Sequence, residues 1–338
     1  MKKIAIVAAI IATFTFGIAA QDQTFDDGLK LMNERHYPEA TEKFRAYIAV
    51  TKNVPAAYYN LGTCYAQQKM HKEAIAAYQE AVRIKPDYFN AFIQLGNELD
   101  YDKQTDAAIS AYRSAIKLQP NESQPYFELA VLQEGQKNYA DAEISLRRSI
   151  QLDPTYGPAY VQLAVSVSKQ NKPAEVSSLM SKATTIAGEN YEDHRQIGMA
   201  YVSLNRYPEA LTSFNKALSI RPNGYEANYG IASVWYNQGK YTEAIDPFIK
   251  VLGSVPNWAN VNYYLAECYR MTDRHNDAIP FYEKAISLDS GVTGAVYGLG
   301  LVYVAKRNKP LAMVQYGRLK TSDNEKALKL LNAINGIK

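Results

Sequence analysis

The side chains best suited to nucleophilic, acid–base or metal chemistry are sparse: four histidines and two cysteines in 338 residues. Metal sites and catalytic dyads draw such groups together at short, fixed spacings, because their atoms must converge within a few ångströms. His36, His71, His194 and His275 are widely separated, and no Cys-x-x-Cys, His-Glu-x-x-His, Gly-x-Ser-x-Gly or phosphate loop occurs. The nearest imitation, Gly298-Leu299-Gly300-Leu301-Val302-Tyr303, lacks the third glycine. These residues point to no catalysis, no metal and no cofactor. Binding chemistry is another matter, since the chain carries 27 tyrosines, each an apolar ring with a polar tip.

The elements that position those rings follow from a period. A small residue recurs every 34 residues at Gly28, Gly62, Gly96, Ala130, Ala164, Gly198, Ala232, Ala266 and Gly300, without insertion or deletion. Numbering each unit from Gln21 or its equivalents, this is position 8. Position 7 is Leu or Ile except for Asp27, position 11 is large, and with position 4 they form an i, i+3, i+4, i+7 stripe that predicts a helix. A second helix follows from Ala at position 20, Val176 excepted, and a bulky residue at 24. Basic residues with Gly or Asn at 15 and 16 suit the end of the first helix, and acids at 18 and 19 suit the start of the second. Pro86, Pro120, Pro154, Pro222 and Pro256 at position 32 stop it.

A 34-residue helix-turn-helix unit with these residues resembles the tetratricopeptide repeat, over nine units spanning 21–326. The resemblance implies an all-α fold, an α-solenoid wound as a right-handed superhelix of antiparallel helix pairs. Residues 322–338 are expected to form a C-terminal capping helix, opened by a Ser322/Glu325 capping box and carrying Ala327, Leu328, Leu331 and Ile334 as its stripe. The fifth unit is the weakest match. Pro173, Val176, Met180 and Gly188 replace its usual residues, which predicts a weak joint near 157–190. Pro247 and Pro280, inside second helices, are expected to add small kinks.

The repeat itself accounts for 15 of the tyrosines, at positions 4, 11, 17 and 24, and for the histidines, which fall at positions 4, 16 and 17. The resemblance implies that positions 2, 5, 9, 12 and 13 line the concave face. There the chain places Tyr59, Tyr229, Tyr263 and Tyr297, with Phe25 and Phe127, at position 5, Tyr236 at 12 and Tyr101 at 13. Polar groups lie among them, chiefly Asn90, Asn97, Asn237, Asn260, Arg195, Glu267 and Arg270. Rings supply contact area at low entropic cost, and Asn pairs with both donor and acceptor of an extended backbone. The expected function is an exported scaffold that binds a protein or extended peptide in its groove, in envelope assembly or secretion. The alternative is a scaffold of a polysaccharide export machine, with tyrosines against sugar rings. Rings lying flat on adjacent helices are the bland reading of the same pattern. The family's clamp for a chaperone's terminal carboxylate resembles Lys at 5 with Asn at 9; no unit has that Lys, and that function is rejected.

Lys2 and Lys3, the apolar run from Ile4 to Ile18 and the small residues Ala19 and Ala20 read as a secretory signal over residues 1–20. The predicted location is periplasmic after cleavage, with no stable membrane span; an N-terminal inner-membrane anchor is the alternative. Basic and acidic residues number 37 and 34, a net charge of +3, or +1 without Lys2 and Lys3. With no basic cluster, nucleic acid is not an expected partner. Self-association through the ends of the stack is compatible with either function. Cys64 and Cys268 stand six units apart, beyond the ~7 Å between Cα atoms that a disulfide spans. They are expected to be buried small residues, an intermolecular bridge being the alternative.

Overall fold

A computed structural model describes residues 23–336; the candidate signal at 1–20 lies outside them. The described residues form nineteen helices and no strand. In chain order the repeats are α1 (23–33) with α2 (Tyr37–Val50), α3 (Pro55–Gln67) with α4 (His71–Ile84), and α5 (Phe89–Tyr101) with α6 (Thr105–Leu118). Next come α7 (Gln124–Gly135) with α8 (Tyr139–Leu152), α9 (Gly157–Lys169) with α10 (Pro173–Ala187), and α11 (Tyr191–Ser203) with α12 (Tyr207–Ile220). The last are α13 (Tyr225–Asn237) with α14 (Tyr241–Ser254), α15 (Ala259–Met271) with α16 (His275–Leu288), and α17 (Thr293–Ala305) with α18 (Lys309–Ser322). α19 (Asn324–Asn335) packs on both α17 and α18. Two compact units divide between Ala159 and Tyr160.

Each turn within a repeat has one construction. The amide of position 16 donates to the carbonyl of position 11 in all nine, from His36 to Leu31 at 2.8 Å through to Asn308 to Tyr303 at 2.8 Å. That bond needs a left-handed residue between them. Position 15 supplies it everywhere, yet Gly239 is the only glycine; Arg35, Lys69, Lys103, Lys137 and Arg307 adopt the same positive φ. The basic side chains at position 16 have a further partner. Arg206, Lys240 and Arg274 lie over the position-11 rings of Tyr201, Trp235 and Tyr269, at 5.3, 4.7 and 4.5 Å from the centroids. At position 31 the chain leaves the helical conformation, at Lys85, Gln119, Arg221 and Val255 before a proline, whose ring disfavours a helical predecessor, and equally at Thr51 and Asp289 where none follows. α14 and α16 continue through Pro247 and Pro280.

The core repeats with the turns. Alanines at position 20 are fully buried, and the position-24 ring covers position 8 of its own repeat: a Cβ on Gly96 would stand 2.6 Å from Tyr112, and one on Gly198 2.6 Å from Phe214. Glycine there lets ring and backbone touch. In α10 Val176, larger than Ala, and Met180, in place of a ring, fill the same places and are buried. The terminal helix starts one residue later than its sequence suggests. Asp323, not Ser322, caps it, accepting the Lys326 amide at 3.1 Å, while Ser322 donates to the Arg318 carbonyl. Its buried stripe is Ala327, Leu330 and Ile334, and Leu328 points outward. In the first repeat, Asp27 replaces a core residue by pairing with Lys43 at 2.9 Å.

Candidate functional site

The position-5 rings are half-buried, each packed by one face or edge. Tyr59 leans on Tyr78 and Tyr88, at 5.7 and 5.2 Å between centroids. Phe127 meets Tyr156 edge-on at 5.0 Å, and Tyr229 stacks on Trp258 at 4.9 Å. Three of these partners, Tyr88, Tyr156 and Trp258, share position 34, so a ring at 34 buttresses the ring at 5 of its own repeat. Phe25 packs on Phe44 and Tyr47. Tyr263 lies against Tyr264 and Tyr282, and burial with the nearby Glu267 carboxylate pushes its phenol up to about 12. Tyr297 packs against the same core cluster. The most open ring is Tyr101, 63% exposed, stacked at 3.8 Å on His71, whose Nδ1 lies 2.7 Å from Glu98 Oε2.

Two of the polar candidates at position 9 turn inward. Tyr112 donates its hydroxyl to Asn97 Oδ1 at 2.6 Å, and Tyr282 donates its own to the buried carboxylate of Glu267, which also accepts from Arg270 Nη2 at 2.7 Å. Thr63 meets the Tyr78 hydroxyl in the same way at 3.1 Å. Where position 24 has no hydroxyl, as at Phe44, Leu146, Met180 and Phe214, position 9 is Leu29, Val131, Val165 and Met199. In three of the four repeats with Tyr at 24, position 9 therefore bonds its hydroxyl, Leu301 with Tyr316 being the exception, a pairing not apparent from the repeat pattern alone. Arg195 pairs with Glu192 one turn earlier, Nε donating at 3.0 Å. Asn90, Asn237 and Asn260 are exposed.

One group of candidates converges. Tyr229, Tyr236 and Asn237, together with Ser233, Phe248 and Tyr264, line a pocket of about 180 Å³ built from α13, α14 and α15. Phe248 is its buried floor. Tyr264 stacks on that floor at 6.0 Å and meets Tyr236 edge-on at 5.1 Å. Burial raises the phenols of Tyr229 and Tyr236, so they stay neutral hydroxyls. Ser233, Phe248 and Tyr264 were not among the residues expected here. Only Tyr264, at a position that is otherwise Gly or polar, carried a signal that could have found it.

Cys64 and Cys268 are buried and free, and burial pushes their thiols up to about 11 and about 12, away from the reactive thiolate. His194 is buried, with Nε2 2.8 Å from the Gly188 carbonyl. Among the described residues no three His, Cys, Asp or Glu side chains converge as a metal site, and no described helix is long and apolar enough to cross a membrane.

Models of the tetratricopeptide repeat match residues 55–88, 93–156, 195–257 and 259–291, more than half of the chain. No curated protein matches it in sequence. Among solved structures, the Cut9–Hcn1 hetero-tetramer of the APC/C is 17% identical, with 88% of this chain and 60% of that one covered and a TM-score of 0.50. MamA (41-end) from Desulfovibrio magneticus RS-1 is 15% identical over 50% of this chain and 96% of its own, with a TM-score of 0.48. YrrB, described as having an unusual peptide-binding site, is 18% identical over 56% and 97%, with a TM-score of 0.43. At 17% identity the likeness to Cut9–Hcn1 is one of fold.

Proposed function

The chain belongs to the tetratricopeptide repeat family, and from that premise we propose that it is an exported, non-enzymatic scaffold whose first helices hold an extended segment of a protein partner. One observation carries this reading: the first helices present buttressed rings beside exposed amides, converging at Tyr229, Tyr236 and Asn237 around a ring-lined pocket. Buttressed rings lose little freedom when a ligand covers them, and a backbone segment can satisfy the amides. The packing disfavours the polysaccharide reading, because Tyr229 and Tyr264 each have a face stacked on Trp258 or Phe248.

Photo-crosslinking in the native host tests the proposal. A photoreactive residue replacing Asn237, Asn260 or Tyr101 is expected to trap a discrete polypeptide, and one replacing Ile249, exposed on second helix α14, is not. Adducts from Ile249 alone overturn it. Export has its own measurement: the mature protein is expected in the periplasmic fraction with Gln21 as its first residue, and recovery of the full-length chain in the cytosol overturns that part. A role in envelope assembly or secretion follows from the compartment and is tested by the identity of the trapped partner.

A further inference from the structure

The pocket under Tyr229, Tyr236 and Tyr264 exists because of one small side chain. Position 9 is Leu, Thr, Asn, Val, Met or Glu in the other eight repeats, and Thr63, Asn97 and Glu267 there bond the position-24 hydroxyl. In the seventh repeat it is Ser233, and the ring at 24 is Phe248, which has no hydroxyl to bond. Position 6 of the following repeat is Asn60, Gln94, Glu128, Gln162 or Gln196 in five others and Gly in two, but here it is Tyr264, which forms a wall. A ring-lined space of about 180 Å³ results between Ser233, Phe248 and Tyr264.

Its size and lining define the occupant. A cavity of about 150 Å³ is enough to take benzene, and this one is about 180 Å³. No residue lining it is ionised; the polar atoms are phenol and serine hydroxyls and the Asn237 amide. The nearby Glu267 carboxylate is already committed to Tyr282 and Arg270, so no free carboxylate there pairs with a buried cation. Tyr229 turns one face to Trp258, Tyr264 turns one to Phe248, and Tyr236 meets its neighbours edge-on. A planar sugar platform is not what this arrangement offers. Building on the scaffold reading above, we infer that the pocket receives one uncharged apolar side chain, aromatic or branched aliphatic, from the bound segment, while exposed Asn237 pairs with that segment's backbone.

The test uses the mature chain and small probes. N-acetylphenylalaninamide and N-acetylleucinamide are titrated against it, with aromatic NMR shifts of Tyr229, Tyr236 and Tyr264 and the fluorescence of Trp258 as readouts. Both probes are expected to shift these signals saturably, and Ser233→Leu to weaken them at least tenfold. Leu at 9 beside Phe at 24 already occurs as Leu29 and Phe44, so this variant has a precedent for folding. Tyr264→Gln, the residue type of three other repeats, removes a wall without filling the space and is expected to give a similar loss. Unchanged binding in both variants overturns the inference, as does preferential binding of tetramethylammonium or methyl glucoside, or no shift at these rings with any probe. Failure here with adducts still trapped at Asn260 or Tyr101 removes the pocket alone. Saturable probe binding with adducts only at Ile249 removes the scaffold reading instead.

Discussion

The third and seventh repeats use the same positions to opposite ends. In the third, Tyr112 donates to Asn97 at 2.6 Å, and the acids Asp100 and Glu128 stand close enough to raise its phenol further, after burial itself. In the seventh, Phe248 offers no hydroxyl, Ser233 leaves space, and Tyr236 and Tyr264 replace the two acids with rings. One surface is closed, polar and acidic; the other is open, aromatic and neutral. The lesson is that the repeat leaves the character of this surface to a few exchangeable positions, here 6, 9, 12 and 24, while 8, 11, 15 and 20 keep the helices in place.

The eighth repeat is the extreme of the closed kind, and breaking it should have the largest effect. Glu267→Ala leaves the Tyr282 hydroxyl and the half-buried Arg270 guanidinium without their acceptor. Removing one member of such a buried pair costs about 3–5 kcal/mol, to be read as a shift in the urea midpoint. A loss below about 1 kcal/mol would show that the position-9 carboxylate faces solvent, as a ligand contact would. Tyr112→Phe in the third repeat is expected to cost less, about 1–3 kcal/mol, since it strands one acceptor on Asn97. Adding Asn97→Leu, which recreates the Leu29 and Phe44 pairing, should return part of that loss. Additive single changes in the double-mutant cycle would break the proposed pairing.

A smaller difference separates the same two repeats at position 15, where Lys103 and Gly239 both have positive φ, at 64° and 73°. Glycine takes that conformation freely and lysine does not. Lys103→Gly is therefore expected to stabilise by about 0.5–1 kcal/mol, less than the ordinary left-handed penalty because glycine also loosens the unfolded chain. Gly239→Lys should cost about as much. Equal and opposite shifts in thermal midpoint would support this; shifts of one sign would not.

The period made the helix pairs and their order legible, because spacings of three and four within a unit of 34 fix both helices and the small residues between them. Position 15 was harder to read: the turn demands a left-handed residue, but the bond from 16 to 11 enforces it even on lysine and arginine. The candidate surface was half legible. Tyr229, Tyr236 and Asn237, named from the positions the resemblance puts on the groove, line one pocket, while Asn97 and Glu267, named on the same ground, spend their acceptors on ring hydroxyls fifteen residues later. Repeat position gives the face of the helix but not which neighbour satisfies the atom. Ser233 was missed for a different reason, because beside its hydrogen bond to Tyr229 it contributes the space it leaves.

The finest test of the contrast is electrostatic. Burial, then the charge of Asp100, raises the Glu128 carboxyl above its ordinary range, so the folded chain holds this proton more tightly than the unfolded chain does. For an acid shifted in that direction, ionisation opposes folding: stability is fully present below the unfolded value of 4.5 and is lost as pH rises through the folded one. Glu128→Gln should thus raise the thermal midpoint slightly at pH 7, and the gain should vanish below pH 4.5. Tyr264→Glu, which places an acid at the matching position of the eighth repeat, on the pocket of the seventh, should lower the midpoint at pH 7 and recover part of it in acid. If Glu128→Gln gives the same gain at every pH, the carboxylate is not desolvated. The contrast between the two repeats would then rest on shape alone.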